Sequence, residues 1–160
     1  AEHWGLGANR GNVEAYVDTL GRRLDALDTG QRVFIVGWSL GGVIARELAR
    51  EHPSKVGGVI TYGTPVIGSP SYTAAAFTYS RSERQRIHRL VRARQRNNPI
   101  QVPVAAIYTP LDSVVSWPAC IDRDTPNIVH YEVRSTHFSM AIDPSVWEVV
   151  LNELARMSEL

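Results

Sequence analysis

Five residues, Gly37-Trp38-Ser39-Leu40-Gly41, constrain this chain more than any other stretch. The preceding residues 32–36, Arg-Val-Phe-Ile-Val, form a short apolar run rich in branched side chains, as a strand buried on both faces would. Residues 40–51 then carry a helical pattern through Val43, Ile44, Glu47 and Leu48, which His52-Pro53 stops. A chain passing from strand to helix within so few residues turns sharply. The turn is expected to hold Ser39 in a strained backbone conformation with its hydroxyl pointing outward. Gly37 and Gly41 are expected to leave room where side chains would clash.

The remaining elements alternate in the same way. Asn12 caps a helix whose apolar stripe, Val13, Tyr16, Val17, Leu20, Leu24 and Leu27, is closed by Asp28-Thr29-Gly30. Val56 to Tyr62 reads as a second strand ending at Gly63-Thr64-Pro65, and residues 66–80 read as loop. From Arg81 to Arg96 seven arginines surround Ile87, Leu90 and Val91, an amphipathic helix broken at Asn97-Asn98-Pro99. Val102 to Thr109 and Ile128 to Val133 are two further strands. Asp143 caps a last helix with Pro144 at its first position, and Val146, Trp147, Val150, Leu151 and Leu154 line one side. Strands alternating with helices predict an α/β fold, a parallel sheet with helices on both faces. We expect a single domain over residues 1–160, with 66–99 a short cap or lid insertion.

In such sheets ligands bind beyond the carboxyl ends of the strands. Ser39, Asp112 and His137 each follow the end of a different predicted strand, so three distant residues converge on one edge. Serine is a weak nucleophile without a neighbouring base. His137 suits that role, Asp112 suits orienting the imidazole, and the Leu40 amide at the helix start suits a developing oxyanion. Asp122 and Asp124 are rival acids in the following loop, although turn formation is the commoner use of such residues. Trp38, Trp117 and Phe138 adjoin these positions and are candidates for an apolar acyl pocket or for core packing.

Other features carry less. The 160 residues have a net charge of +1, with 44% hydrophobic and 21% charged residues, so nothing in the overall balance calls for a nucleic-acid partner. Cys120 is the single cysteine, which excludes an internal disulfide and a cysteine-based zinc site. His3, His52, His88 and His130 lack metal-ligand spacing and read as structural or solvated. Gly5, Gly7 and Gly11 mimic a dinucleotide fingerprint without a convincing preceding strand or ribose-binding acid. No apolar run approaches the roughly 20 residues of a transmembrane segment, and no signal peptide is visible. A soluble protein is expected, either cytoplasmic or secreted with its leader removed. The arginine-rich helix suits a solvated cap over the site, against nucleic-acid or membrane-surface binding.

The run from Gly37 to Ala49, with Ile60 to Pro65, resembles the bacterial lipase/esterase branch of the α/β-hydrolase family. The segments from Ala106 to Trp117 and 127–144 are similar to its acid loop and histidine segment, and Trp4 to Gly11 to the loop after its fourth strand. The Ser, Asp, His chain order is that family's. The resemblance implies hydrolysis of a small-molecule or lipid carboxylic ester through an acyl-serine intermediate, with no metal or organic cofactor. A thioesterase or amidase would use the same triad. Phe138 stands where many relatives carry a cysteine able to pair with one near Cys120. The resemblance also implies an N-terminally shortened core, because upstream strands and a loop donating a second oxyanion N–H do not precede Ala1. Loss of one such donor costs on the order of 10²–10³ in rate, so a catalytically impaired assembly subunit is the rival of a different class. The apolar edge Val33 to Val36 would then be left unpaired. Another chain, a cleaved upstream segment or a homodimer is expected to pair it.

Overall fold

The computed structural model describes residues 1–7, 12–27, 30–66 and 80–160, with the backbone alone at 83–84, 86–88 and 90–92. Four strands, β1 (Val33–Trp38), β2 (Val56–Tyr62), β3 (Val104–Tyr108) and β4 (Ile128–Glu132), form one sheet in the order β1-β2-β3-β4. All three pairings are parallel, so every carboxyl end lies along the same edge. The helices are α1 (Val13–Ala26), α2 (Leu40–Glu51), α3 (Arg81–Asn97) and α4 (Pro144–Ser158). Asn12 caps α1 by accepting from the Ala15 amide, and Asp143 caps α4 by accepting from that of Ser145.

Alternation along the strands divides the core between the two faces. Val59 and Val104 join Val17 and Leu24 of α1 and Ile44, Leu48 and Ala49 of α2. Their neighbours Ile60 and Ala105 join Val146, Val150 and Met157 of α4. Each fully buried Val or Ile contributes about 1.5–3 kcal/mol, so β2, buried at all seven residues, anchors the sheet.

Several boundaries differ from the sequence reading. β1 runs on through Gly37 and Trp38, which pair with Thr61 and Tyr62. Its expected burial on both faces does not hold, because β1 is the sheet's edge among the described residues and Val36 is 36% exposed. β3 starts two residues late, after Pro103, which has no N–H to donate to a ladder. No strand precedes Gly5 and Gly7 among the described residues, and Gly11 lies outside them, as do Asp28, Thr29 and most of the 66–80 loop. The stripe of Ile87, Leu90 and Val91 also falls outside the described side chains. Among the described residues no helix is long and apolar enough to cross a membrane.

Candidate active site

Ser39 joins β1 directly to α2 with φ 53° and ψ −124°, and it is the one non-glycine residue at positive φ among those described. Such a conformation costs on the order of 1–3 kcal/mol and persists only where its surroundings hold it. Here β2 does so: the Ser39 amide donates to Tyr62 O at 2.9 Å, and Thr64 Oγ1 donates to Ser39 O at 3.0 Å. The turn is tight at Gly37, where a Cβ would lie 2.6 Å from Gly42 Cα. Its second tight glycine is Gly42, where a Cβ would lie 2.1 Å from Thr64 Oγ1. The expectation for Gly41 is therefore corrected, since a Cβ there meets no described atom within 4 Å. Nothing in the pentapeptide spacing reveals that Thr64, 25 residues on, fills the space beside Gly42.

His137 lies in the loop after β4, its side chain only 3% exposed. Its Nε2 is 3.1 Å from Ser39 Oγ, and its Nδ1 is 2.7 Å from Asp112 Oδ2. A carboxylate only accepts, so Nδ1 carries the hydrogen and the Nε2 lone pair faces the serine hydroxyl. Asp112 sits in the loop after β3 with its side chain 1% exposed. Its other oxygen accepts the amides of Val114 and Val115, both at 2.8 Å, which fixes the carboxylate plane. Thr109 Oγ1 ties the two loops together by donating to Ser135 O at 2.7 Å. Gly63, at φ +56°, passes so close that a Cβ would lie 3.1 Å from His137 Nδ1. Leu40 is the first residue of α2, so its amide is among those a helix leaves without an intrahelical partner.

The other candidates separate. The Trp38 ring lies 5.4 Å from the His137 ring, and Phe138, 68% exposed, meets both edge-on. Trp117 stacks instead on Tyr108, with ring centroids 5.8 Å apart. Asp122 is not beside His137: it pairs with Arg46 of α2 and accepts from Gln95 Nε2 at 2.8 Å and Thr125 Oγ1 at 2.6 Å. Burial alone would raise its pKa, but the Arg46 charge and hydrogen bonds from Thr125, the Asp124 amide and Arg46 outweigh that and leave it below the usual carboxylate value. It also accepts the amides of Asp124 and Thr125, so the turn role expected of it coexists with the ion pair. The last turn of α3 is bound at the far end of α2 from Ser39: Arg94 pairs with Glu47 and Glu51, and Arg50 donates to Asn98 O. Sequence reasoning missed Thr64, Thr109 and the Arg46–Asp122 pair, because each acts across more than 20 residues and lies in no local pattern.

Comparison with known proteins fits this arrangement. The family described as alpha/beta hydrolase fold matches residues 7–94. This chain belongs to the α/β-hydrolase family. The α/β-hydrolase sheet explains the likeness to two solved structures, which at this identity concerns the fold alone. One is a lipase-esterase related protein from Clostridium acetobutylicum, with TM-score 0.65, 15% identity and coverage of 92% of this chain and 79% of that one. The other is an α/β-hydrolase enzyme from a lagoon-sediment metagenome (Mar Chica, Morocco), with TM-score 0.63, 17% identity and coverage of 98% and 75%. Among α/β-hydrolases of known activity, a pimeloyl-[acyl-carrier protein] methyl ester esterase of Aromatoleum aromaticum is 37% identical over 81 residues. That alignment takes in 48% of this chain and 30% of the esterase.

Proposed function

We propose that this protein is a serine hydrolase of carboxylic esters working through an acyl-Ser39 intermediate. The observation that carries the reading is the continuous hydrogen-bonded chain from Ser39 Oγ through the His137 imidazole to Asp112, at 3.1 and 2.7 Å, at the start of a helix. As Ser39 Oγ bonds to the ester carbonyl carbon, His137 Nε2 takes its proton, and Asp112 stabilises the imidazolium. The carbonyl oxygen becomes an oxyanion facing the Leu40 amide. Collapse of this intermediate expels the alkoxide, which leaves with the proton from His137. Water then repeats the sequence on the acyl-enzyme and frees the acid. Trp38 and Phe138 flank the imidazole and suit an acyl group, with Trp117 farther along the rim.

Esters come before thioesters and amides in this reading because the esterase of Aromatoleum aromaticum shares 37% of the aligned residues. The reading treats residues 1–160 as one domain, with 66–99 a short cap or lid insertion. It includes a strand added to the free edge of β1 by an upstream segment, another chain or a second copy. The decisive experiment is labelling with a serine-directed phosphonate, followed by turnover of p-nitrophenyl esters of increasing chain length. Selective labelling of Ser39, with turnover abolished in Ser39→Ala, is expected. Absence of labelling would favour the inactive assembly subunit, and full turnover by Ser39→Ala would refute the mechanism.

A further inference from the structure

The sequence points to Trp38 as a wall of an acyl pocket, but its indole nitrogen is already engaged. Trp38 Nε1 donates to the backbone carbonyl of His137 at 3.1 Å, across 99 residues of chain. That carbonyl accepts no backbone amide among the described residues. Its loop is otherwise held before the histidine by Thr109 at Ser135, and is closed across the histidine by Met140 N donating to Thr136 O at 3.0 Å. Trp38 closes β1, where its pairing with Tyr62 fixes the backbone. The next residue is Ser39. One strand end therefore holds both the hydroxyl and the backbone of the group that faces it.

We propose that Trp38 is a positioning residue: its indole N–H holds the carbonyl of His137 and so keeps the imidazole between Ser39 and Asp112. The geometry gives this contact a purpose that ring packing alone lacks. An imidazole in a loop has to stay within hydrogen-bond reach of both partners, and a displacement of about 1 Å costs on the order of 10² in rate. Holding the peptide next to the ring sets the origin from which the side chain reaches. The indole also packs beside the imidazole, tilted at an interplanar angle of 38°, which limits ring rotation as well.

The inference rests on the hydrolase reading above, and its test is read partly without turnover. In Trp38→Phe an aromatic side chain is kept, smaller by the pyrrole ring, and the N–H is removed. We expect kcat to fall about tenfold on acetyl, butyryl and octanoyl p-nitrophenyl esters alike, with KM unchanged within about twofold. We also expect the downfield NMR resonance of the proton between His137 and Asp112 to broaden or move upfield. If Trp38→Phe folds poorly, β-(3-benzothienyl)alanine at position 38 alone keeps the bicyclic shape and replaces the N–H by sulfur. A KM that rises with chain length at unchanged kcat would leave Trp38 only its acyl-group contact and overturn the positioning role. So would a loss of thermal stability with kcat, KM and the resonance unchanged. Turnover surviving in Ser39→Ala would instead fault the hydrolase reading, and the resonance would still report whether the indole positions His137.

Discussion

Deleting the carboxylate of Asp122 tests whether the second acid of the loop serves stability rather than chemistry. The Asp122 side chain is 0% exposed, and that of Arg46 is 5% exposed. In Asp122→Ala, the Gln95 amide, the Thr125 hydroxyl and the amides of Asp124 and Thr125 lose an acceptor, and the Arg46 charge is left buried. Removing one partner of a buried ion pair costs about 3–5 kcal/mol. At about 2–4 °C per kcal/mol for a domain of this size, the melting temperature should fall by roughly 6–20 °C. Circular dichroism melts and urea titrations measure the loss directly. Adding Arg46→Met, which replaces the stranded charge with an apolar side chain, should restore part of it. The folded fraction of Asp122→Ala should keep the kcat of the unsubstituted protein on p-nitrophenyl esters within a few-fold. Asp112→Asn should instead lose kcat by about 10³–10⁴ at near-native stability, because the imidazole loses its orienting acceptor. A loss under about 1 kcal/mol in Asp122→Ala, or a kcat collapse there with Asp112→Asn active, would refute the assignment of the two acids.

Gly63→Ala sets a Cβ at φ +56° and 2.8 Å from Met140 Cε, beside His137 Nδ1; kcat should fall about tenfold or more, and an unchanged kcat would show that the imidazole has slack. Burial holds the His130 pKa below its ordinary value, opposed by Asp122 and aided by Arg46, while its Nε2 accepts the Asp122 amide. The unfolded chain therefore takes up that proton first as pH falls through about 6.5, so stability should drop from there downward, and His130→Gln should flatten the dependence of melting temperature on pH. Burial pushes the Cys120 thiol up to about 12, so a thiol reagent such as dithionitrobenzoate should react with it only on unfolding.

The order of elements was legible because each has a local cause: a capping Asn12, a Pro144 at a helix start, a branched run between glycines. Ser39, Asp112 and His137 were legible for a related reason. In a parallel sheet the residue after a strand has only one edge on which to lie, so three such positions point to a common place. What was hidden depends on partners far along the chain. Gly41 and Gly42 are alike in sequence, and only Thr64 distinguishes them. Asp122 reads as a turn residue because its cation is 76 residues away. β1 reads as a strand buried on both faces because its run is apolar, whereas the exposure of Val36 depends on what packs over the strand, which composition does not report.

The strands lie side by side in the order in which they occur along the chain. In a sheet of that kind each of these ribbons can be laid against the one before it without displacing an earlier one. The hydroxyl is delivered first, the carboxylate some seventy positions later and the imidazole last. Under the proposed mechanism, a nascent polypeptide on the ribosome thus carries an inert alcohol until the segment bearing His137 has emerged and docked.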